Sequence, residues 1–481
     1  MASVLRGSQL ARLLGHWRPT GISVSDYVAL ADTVRGLLVD GRLALGVRLP
    51  AERELAETLE ISRTTVTAAY AALRESGHLR SRRGAGSWTT LPGGTRLAST
   101  GLWAPDSTPD LLDLGQAALA APAELPAAAT EAVAALPRYM GGAGYHPTGI
   151  PELRAAVAAE YAARGLPTTT EQIMVTSGVQ HALDLVVRLL LPPGGSVTTE
   201  SPTYPNALAS FAGRRARVHT YGLGSDGWDE DLLLATIRQS GSRIAYLIPE
   251  FQNPTGHLMP ERLRAQLPGA AHAAGTDLVI DESFVDLDFG DIEVPPPVAV
   301  YDRHARVLSI GGMSKPYWGG LRIGWIRAAE PVVQRLAAVR VGMDMAGPVL
   351  DQLVAVALLR RAPEIVAARR VQLRQQRDVL VEALRRELPA WRFTVPDGGV
   401  TLWAELDAPI SSALSRAAEA FGVRLAPGPR FGLDGTLERF LRLPFTLPPA
   451  ELEEAVTRIV AARDDLQRGT RRTWETPALV A

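Results

Sequence analysis

The chain has 481 residues, enough for two to four domains at roughly 150 residues each, and with 46% hydrophobic residues it can bury a large core. A net charge of -1 neither favours nor excludes nucleic acid, because local asymmetry can hide inside it. The absence of cysteine excludes disulfides, thiolate metal sites and cysteine nucleophiles, and the eight histidines show no metal-ligand spacing. No apolar run approaches the ~20 residues that span a bilayer, so a cytoplasmic protein with no membrane partner is expected.

Residues 1–20 begin "MASVLRGSQLARLLGHWRP", which lacks an apolar h-region and a cleavage signal, and they read as an N-terminal extension. Residues 21–91 read as three helices and a hairpin. The first helix is expected over 24–39 with Gly41 as its stop, and the second over 52–59 after Pro50. Ser62 is a plausible N-cap for the third, where Val66, Ala69, Tyr70 and Leu73 return with helical spacing. That spacing turns Arg63, Thr64, Thr65 and Thr67 outward at the N-terminal end, which is how a recognition helix presents residues to base edges. A hairpin over 79–90 turns at "RRGAGS". Between positions 35 and 83 there are nine arginines and six acids, and the acids fall mainly on the second helix.

A helix, turn and helix of modest positive charge is by itself more often a packing unit. "LPAERELAETLEISRTTV" followed by "GHLRSRRGAGS", however, resembles the winged helix-turn-helix of GntR-type repressors. The resemblance implies double-stranded promoter DNA as a partner, touched by Arg53, Arg63, Thr64, Thr65, Arg83 and Gly84.

Residues 92–112, dense in Pro, Gly, Ser and Thr, read as a linker. From 113 to 470, apolar runs such as "RIAYLIPE" and "TDLVIDESF" alternate with long helical patterns, which indicates an α/β fold with a mostly parallel sheet. The last hundred or so residues suggest a smaller α+β lobe, and 471–481 a C-terminal tail.

Of the 50 lysines and arginines only Lys315, in "GGMSKPYWGGLRIGW", is lysine. A primary amine condenses with an aldehyde and a guanidinium does not. If the aldehyde is pyridoxal 5'-phosphate, the site also needs an acid for the pyridine nitrogen, a donor for the ring hydroxyl, a flat side chain and a phosphate cradle. Asp281 ends an apolar strand in "DLVIDESF", although a helix N-cap would look the same. Asn253 in "IPEFQNPTG" can face the hydroxyl or make a plain Asn-Pro turn. Tyr204 in "ESPTYP" can lie on the ring or in a core. Ser177, Gly178 and Val179 in "VTSGVQHAL" open a helix whose free N–H groups favour a phosphate.

In this order the five signals resemble fold type I aminotransferases, which have a large parallel-sheet domain and a small C-terminal α+β lobe. The resemblance makes Lys315 the lysine that carries the cofactor and puts Ser314 and Arg322 beside the phosphate. Tyr145 in "GAGYHPTG" is similar to the tyrosine that reaches the phosphate from the other subunit, and Arg442 in "FLRLPF" to the arginine that pairs with a substrate carboxylate. The family often has Ser or Thr where this chain has Gly312, which removes a phosphate contact. A GntR-type reader on such a body is the arrangement of MocR-type transcriptional regulators, which the chain resembles along nearly its whole length. That resemblance implies a homodimer, head-to-tail, with pyridoxal phosphate or a small amino compound as effector. The alternatives are a working aminotransferase that carries a DNA-binding domain, and a body that only dimerises.

Overall fold

The computed structural model describes residues 4–18, 24–82, 86–91 and 110–474. The N-terminal unit consists of α1 (Gly7–Leu14), α2 (Asp26–Val39), α3 (Glu52–Leu59), α4 (Arg63–Glu75) and an antiparallel hairpin of β1 (Leu79–Arg82) and β2 (Gly86–Thr89). Ser62 stops the chain ahead of α4 in an extended conformation, and its Oγ accepts the Thr65 N–H at 3.1 Å. From there Val66, Ala69, Tyr70 and Leu73 bury one face of α4 among Leu30, Val34 and Leu37 of α2. Residues 4–18 belong to this unit. Leu5, Leu10, Leu14 and Trp17 join its core, and the Gly7 N–H donates to Glu54 Oε1 at 2.6 Å. Arg83, Gly84 and linker residues 92–109 lie outside the described residues.

The body starts with β3 (Leu112–Asp113), α5 (Leu125–Ala135), α6 (Pro151–Ala163), β4 (Ile173–Thr176) and α7 (Val179–Leu190). There follow β5 (Ser196–Ser201), β6 (Arg217–Gly222), β7 (Ile244–Leu247), β8 (Asp277–Asp281), β9 (Val307–Gly312) and β10 (Gly324–Arg327). Strands β4 to β10 form one sheet in the order β4-β10-β9-β8-β7-β5-β6, in which only β10 runs against the rest. Side chains alternate across it. Ile244 and Tyr246 of β7 enter one core and Ala245 and Leu247 the other, so both faces of the central strands are covered, while β5 carries buried polar residues, Glu200 among them.

The small lobe holds β11 (Thr401–Glu405), β12 (Val423–Arg424), β13 (Ala426–Pro427) and β14 (Phe440–Pro444). Strands β11, β14 and β13 form an antiparallel sheet, packed by the helices Ala362–Glu387, Ser411–Glu419 and Pro449–Trp474. Strand β3 pairs with β12, so the end of the segment read as linker already belongs to the body. The last helix runs through Trp474, into the segment read as a tail. Among the described residues no helix is long and apolar enough to cross a membrane.

The N-terminal unit docks on the body through the end of α2 and through α1. The Leu437 N–H donates to the Val39 carbonyl at 2.6 Å, Arg439 reaches Asp40 at 3.5 Å, and Arg12 pairs with Asp231 at 2.9 Å.

Candidate cofactor site and DNA-reading face

Strands β4, β5, β7, β8 and β9 are mutually parallel, so their carboxyl ends share one edge of the sheet, where open α/β folds bind ligands. Each sends one feature there: Ser177 and Gly178 after β4, Tyr204 after β5, Asn253 beyond β7, Asp281 at the end of β8, and Ser314 and Lys315 after β9.

Lys315 is half-buried, with Nζ 5.6 Å from the centre of the Phe284 ring. Nζ donates to the Ala117 carbonyl at 2.7 Å. Burial and the Arg442 charge push its pKa down to about 8, against the opposing pull of Asp281. On the order of a tenth of the amine is therefore neutral at pH 7, far more than at the ordinary lysine value, and the neutral form is the one that condenses with an aldehyde.

Asp281 is buried and held by three donors. The Tyr246 hydroxyl donates to Oδ2 at 2.7 Å, and the Ser283 N–H and Oγ to Oδ1 at 3.0 and 2.5 Å. Burial pushes the carboxyl up, while these donors and the Lys315 charge pull it back. A cationic ring nitrogen would pull it further in the same direction.

Arg442 is 5% exposed on β14 and lies 4.9 Å from the centre of the Phe431 ring. It donates to the Gly115 carbonyl at 2.6 Å and to Asn253 Oδ1 at 3.4 Å, and its buried Nε has no hydrogen-bond partner among the described residues. Burial lowers its pKa to about 10, which leaves it cationic at neutral pH. A buried guanidinium with one donor unmet and another on a backbone carbonyl suits a carboxylate.

The Tyr204 hydroxyl accepts from Asn206 Nδ2 at 2.8 Å, and burial raises its pKa. Behind it, Gln252 Nε2 donates both to the Pro202 carbonyl at 2.8 Å and to Glu200 Oε2 at 3.0 Å, tying the Tyr204 turn to the Asn253 turn. Glu200 is wholly buried, and burial pushes its pKa up to about 8.

The first turn of α7 leaves N–H groups without intrahelical partners. The Arg322 guanidinium lies over it, with NH2 donating to the Ser177 carbonyl at 3.0 Å. Gly178 has φ +91°, and a Cβ there would lie 2.9 Å from Arg322 NH2. Ser177 Oγ donates to Asp344 Oδ2 at 3.2 Å, and Ser314 is half-buried. A Cβ at Gly312 would lie 2.8 Å from Val179 Cγ2 and 3.0 Å from the Ile323 carbonyl oxygen, so the hydroxyl missing here is excluded by packing. Tyr145 is 63% exposed and makes no part of this cluster within the chain.

On the N-terminal unit, Arg63 and Thr64 are exposed at the start of α4 and Thr65 is half-buried. The hydroxyls of Thr64 and Thr65 lie 2.7 and 2.8 Å from Ser62 Oγ. Arg53 is exposed on α3 and pairs with Glu57 at 2.9 Å. The α3 acids are engaged: Glu52 accepts from Thr67, and Glu54 from the start of α1.

Sequence reasoning missed Tyr246, Ser283, Gln252 and Glu200, and the Gly115 and Ala117 carbonyls. Ser283 alone carried a signal, since it follows Asp281 by two residues, the spacing of an Asx turn.

The fold and these clusters define a class: a helix-turn-helix DNA reader joined to an aminotransferase-type body. Residues 109–459 match the family "Aminotransferase class I and II", and residues 26–88 match "Bacterial regulatory proteins, gntR family". The chain is 30% identical to the probable rhizopine catabolism regulatory protein MocR of Rhizobium meliloti, over 83% of this chain and 85% of that protein. It is 27% identical to the uncharacterized HTH-type transcriptional regulator YisV of Bacillus subtilis, over 95% of this chain and 99% of that one. Among solved structures it is similar to LysN, the alpha-aminoadipate aminotransferase of Thermus thermophilus, complexed with N-(5'-phosphopyridoxyl)-L-leucine. That match has a TM-score of 0.68 and 31% identity, and covers 75% of this chain and 94% of that one. The chain belongs to the class I and II aminotransferase family, in its MocR-type branch, where the aminotransferase fold follows a GntR helix-turn-helix.

Proposed function

We propose that the chain is a DNA-binding transcriptional regulator whose body takes pyridoxal 5'-phosphate at Lys315 and senses that cofactor or a small amino compound. The observation that carries the reading is the single lysine of the chain, half-buried with a pKa of about 8 at the sheet's carboxyl edge, in a body on which a GntR-type reader is docked. When bound, the cofactor supplies an electrophilic carbonyl carbon for a primary amine. Asp281, held by Tyr246 and Ser283, takes the pyridine nitrogen; Asn253 faces the ring hydroxyl and Tyr204 the ring. The N–H groups of Ser177, Gly178 and Val179, with Ser314 and Arg322, hold the phosphate. Arg442 takes an effector carboxylate by giving up the Gly115 carbonyl, and Lys315 frees its amine by giving up that of Ala117. Tyr145 completes the phosphate site from a second protomer of a head-to-tail homodimer. Arg53, Arg63, Thr64, Thr65, Arg83 and Gly84 contact promoter DNA, and a ligand that binds one arrangement of the body more tightly shifts the spacing of the two readers.

The test is the visible spectrum of the full chain with pyridoxal phosphate, before and after a panel of amino acids, beside Lys315→Ala. A band that depends on Lys315 and only shifts with an amine supports the sensor. A band lost to the pyridoxamine form and restored by a keto acid would make the chain a working aminotransferase. A chain that ignores the cofactor would leave the body a dimerisation module.

A further inference from the structure

The reader does not rest on a neutral part of the body. Arg42, three residues past the end of α2, lies so close to Gly222 at the end of β6 that a Cβ there would stand 2.4 Å from the Arg42 carbonyl oxygen and 2.6 Å from its Cα. A Cβ at Gly41 would stand 2.8 Å from Leu437 Cδ2 and 3.3 Å from Ser201 Oγ. Together with the Leu437–Val39 hydrogen bond and the Arg439–Asp40 pair, this makes a backbone-tight seat.

The body's side of that seat is the back of the candidate site. Leu437 is buried in one cluster with Phe431, whose ring lies 4.9 Å from the Arg442 guanidinium carbon. The Phe431 carbonyl accepts the Thr203 N–H at 2.9 Å, which places it one residue from Tyr204, and Ser201 opens the same turn. The wall that faces a ring and a carboxylate on one side therefore carries the end of α2 on the other.

We propose that the seat formed by Ser201, Gly222, Leu437 and Arg439 is the element through which site occupancy and reader docking are linked, with docking ordering the 201–204 and 428–437 segments for the cofactor. The inference rests on the reading of the body as a pyridoxal phosphate site. Coupling of this kind is reciprocal, so the reader's state can be read at the site itself.

The experiment measures half-saturation of the full chain by pyridoxal phosphate, from its visible band, in the wild type, Gly222→Ala and Asp40→Asn. Gly222→Ala wedges a methyl against the Arg42 backbone. Asp40→Asn removes the charge pair while keeping the volume, and serves if the first variant folds poorly. Gly36→Ala, on α2 with nothing within 4 Å of the added Cβ, is the control. Small-angle scattering reports whether the reader has left the body. The expected result is an undocked reader and a half-saturation raised at least about fivefold in the seat variants, with the control unchanged. Undocked variants whose half-saturation equals that of the wild type would overturn the linkage alone. A wild type that shows no band would overturn the reading beneath it.

Discussion

At the residue scale the chemistry rests on a few groups held out of water. With a pKa pushed down to about 8, the Lys315 amine is increasingly neutral as pH rises through that value and increasingly protonated below it. The rate of cofactor uptake, followed as growth of the visible band, is therefore expected to rise with pH and to level off above about 8. A rate still climbing toward 10.5, the ordinary lysine value, would contradict the burial argument. Tyr246→Phe removes one of three donors from a buried carboxylate. The expected cost is about 1.5–3 kcal/mol in stability or cofactor affinity, read by thermal unfolding with and without pyridoxal phosphate, and an unchanged pair of midpoints would count against it. Gly312→Ser does not restore a phosphate contact but forces the Val179 turn apart. About 1–3 kcal/mol should be lost by urea unfolding, and a neutral result would mean that the packing there yields.

At the scale of elements, what the sequence made legible followed from short-range patterns. The α4 helix was readable because its cap, Ser62, and its apolar face at 66, 69, 70 and 73 lie within one stretch. Lys315 and Asp281 were legible as candidates through the order they keep along the chain with Ser177, Tyr204 and Asn253, since each alone also fits a plain structural role. Helix α1 was not: eight residues are too few to be stable alone, and Leu10 and Leu14 are buried in a core that α2 and α3 complete. Tyr246 was hidden for a similar reason. It sits on β7 among apolar residues, and its role appears only when β8 brings Asp281 beside it. The Gly115 and Ala117 carbonyls carry no side-chain signal at all. Arg63→Ala, at the exposed start of α4, should weaken binding to mixed-sequence duplex DNA and reduce the dependence of log affinity on log salt by about one, if its partner is a phosphate. An unchanged affinity and slope would remove α4 from the interface.

At the scale of the whole molecule, two units of different character meet on one surface. The reader's α2 ends on the wall that backs Arg442 and Tyr204, so the helix-turn-helix unit and the candidate cofactor site share a boundary inside a single chain. This juxtaposition was invisible in the sequence, because residues 39–42 and 437–439 are brought together only by tertiary structure. The most direct measurement is the affinity of the full chain for a duplex selected by this protein from a random-sequence pool, with and without pyridoxal phosphate, beside Lys315→Ala. The account predicts that the cofactor changes the dissociation constant of the wild type by about fivefold or more and leaves that of Lys315→Ala unmoved. A body visibly saturated with cofactor, on a chain whose DNA affinity does not change, would contradict it.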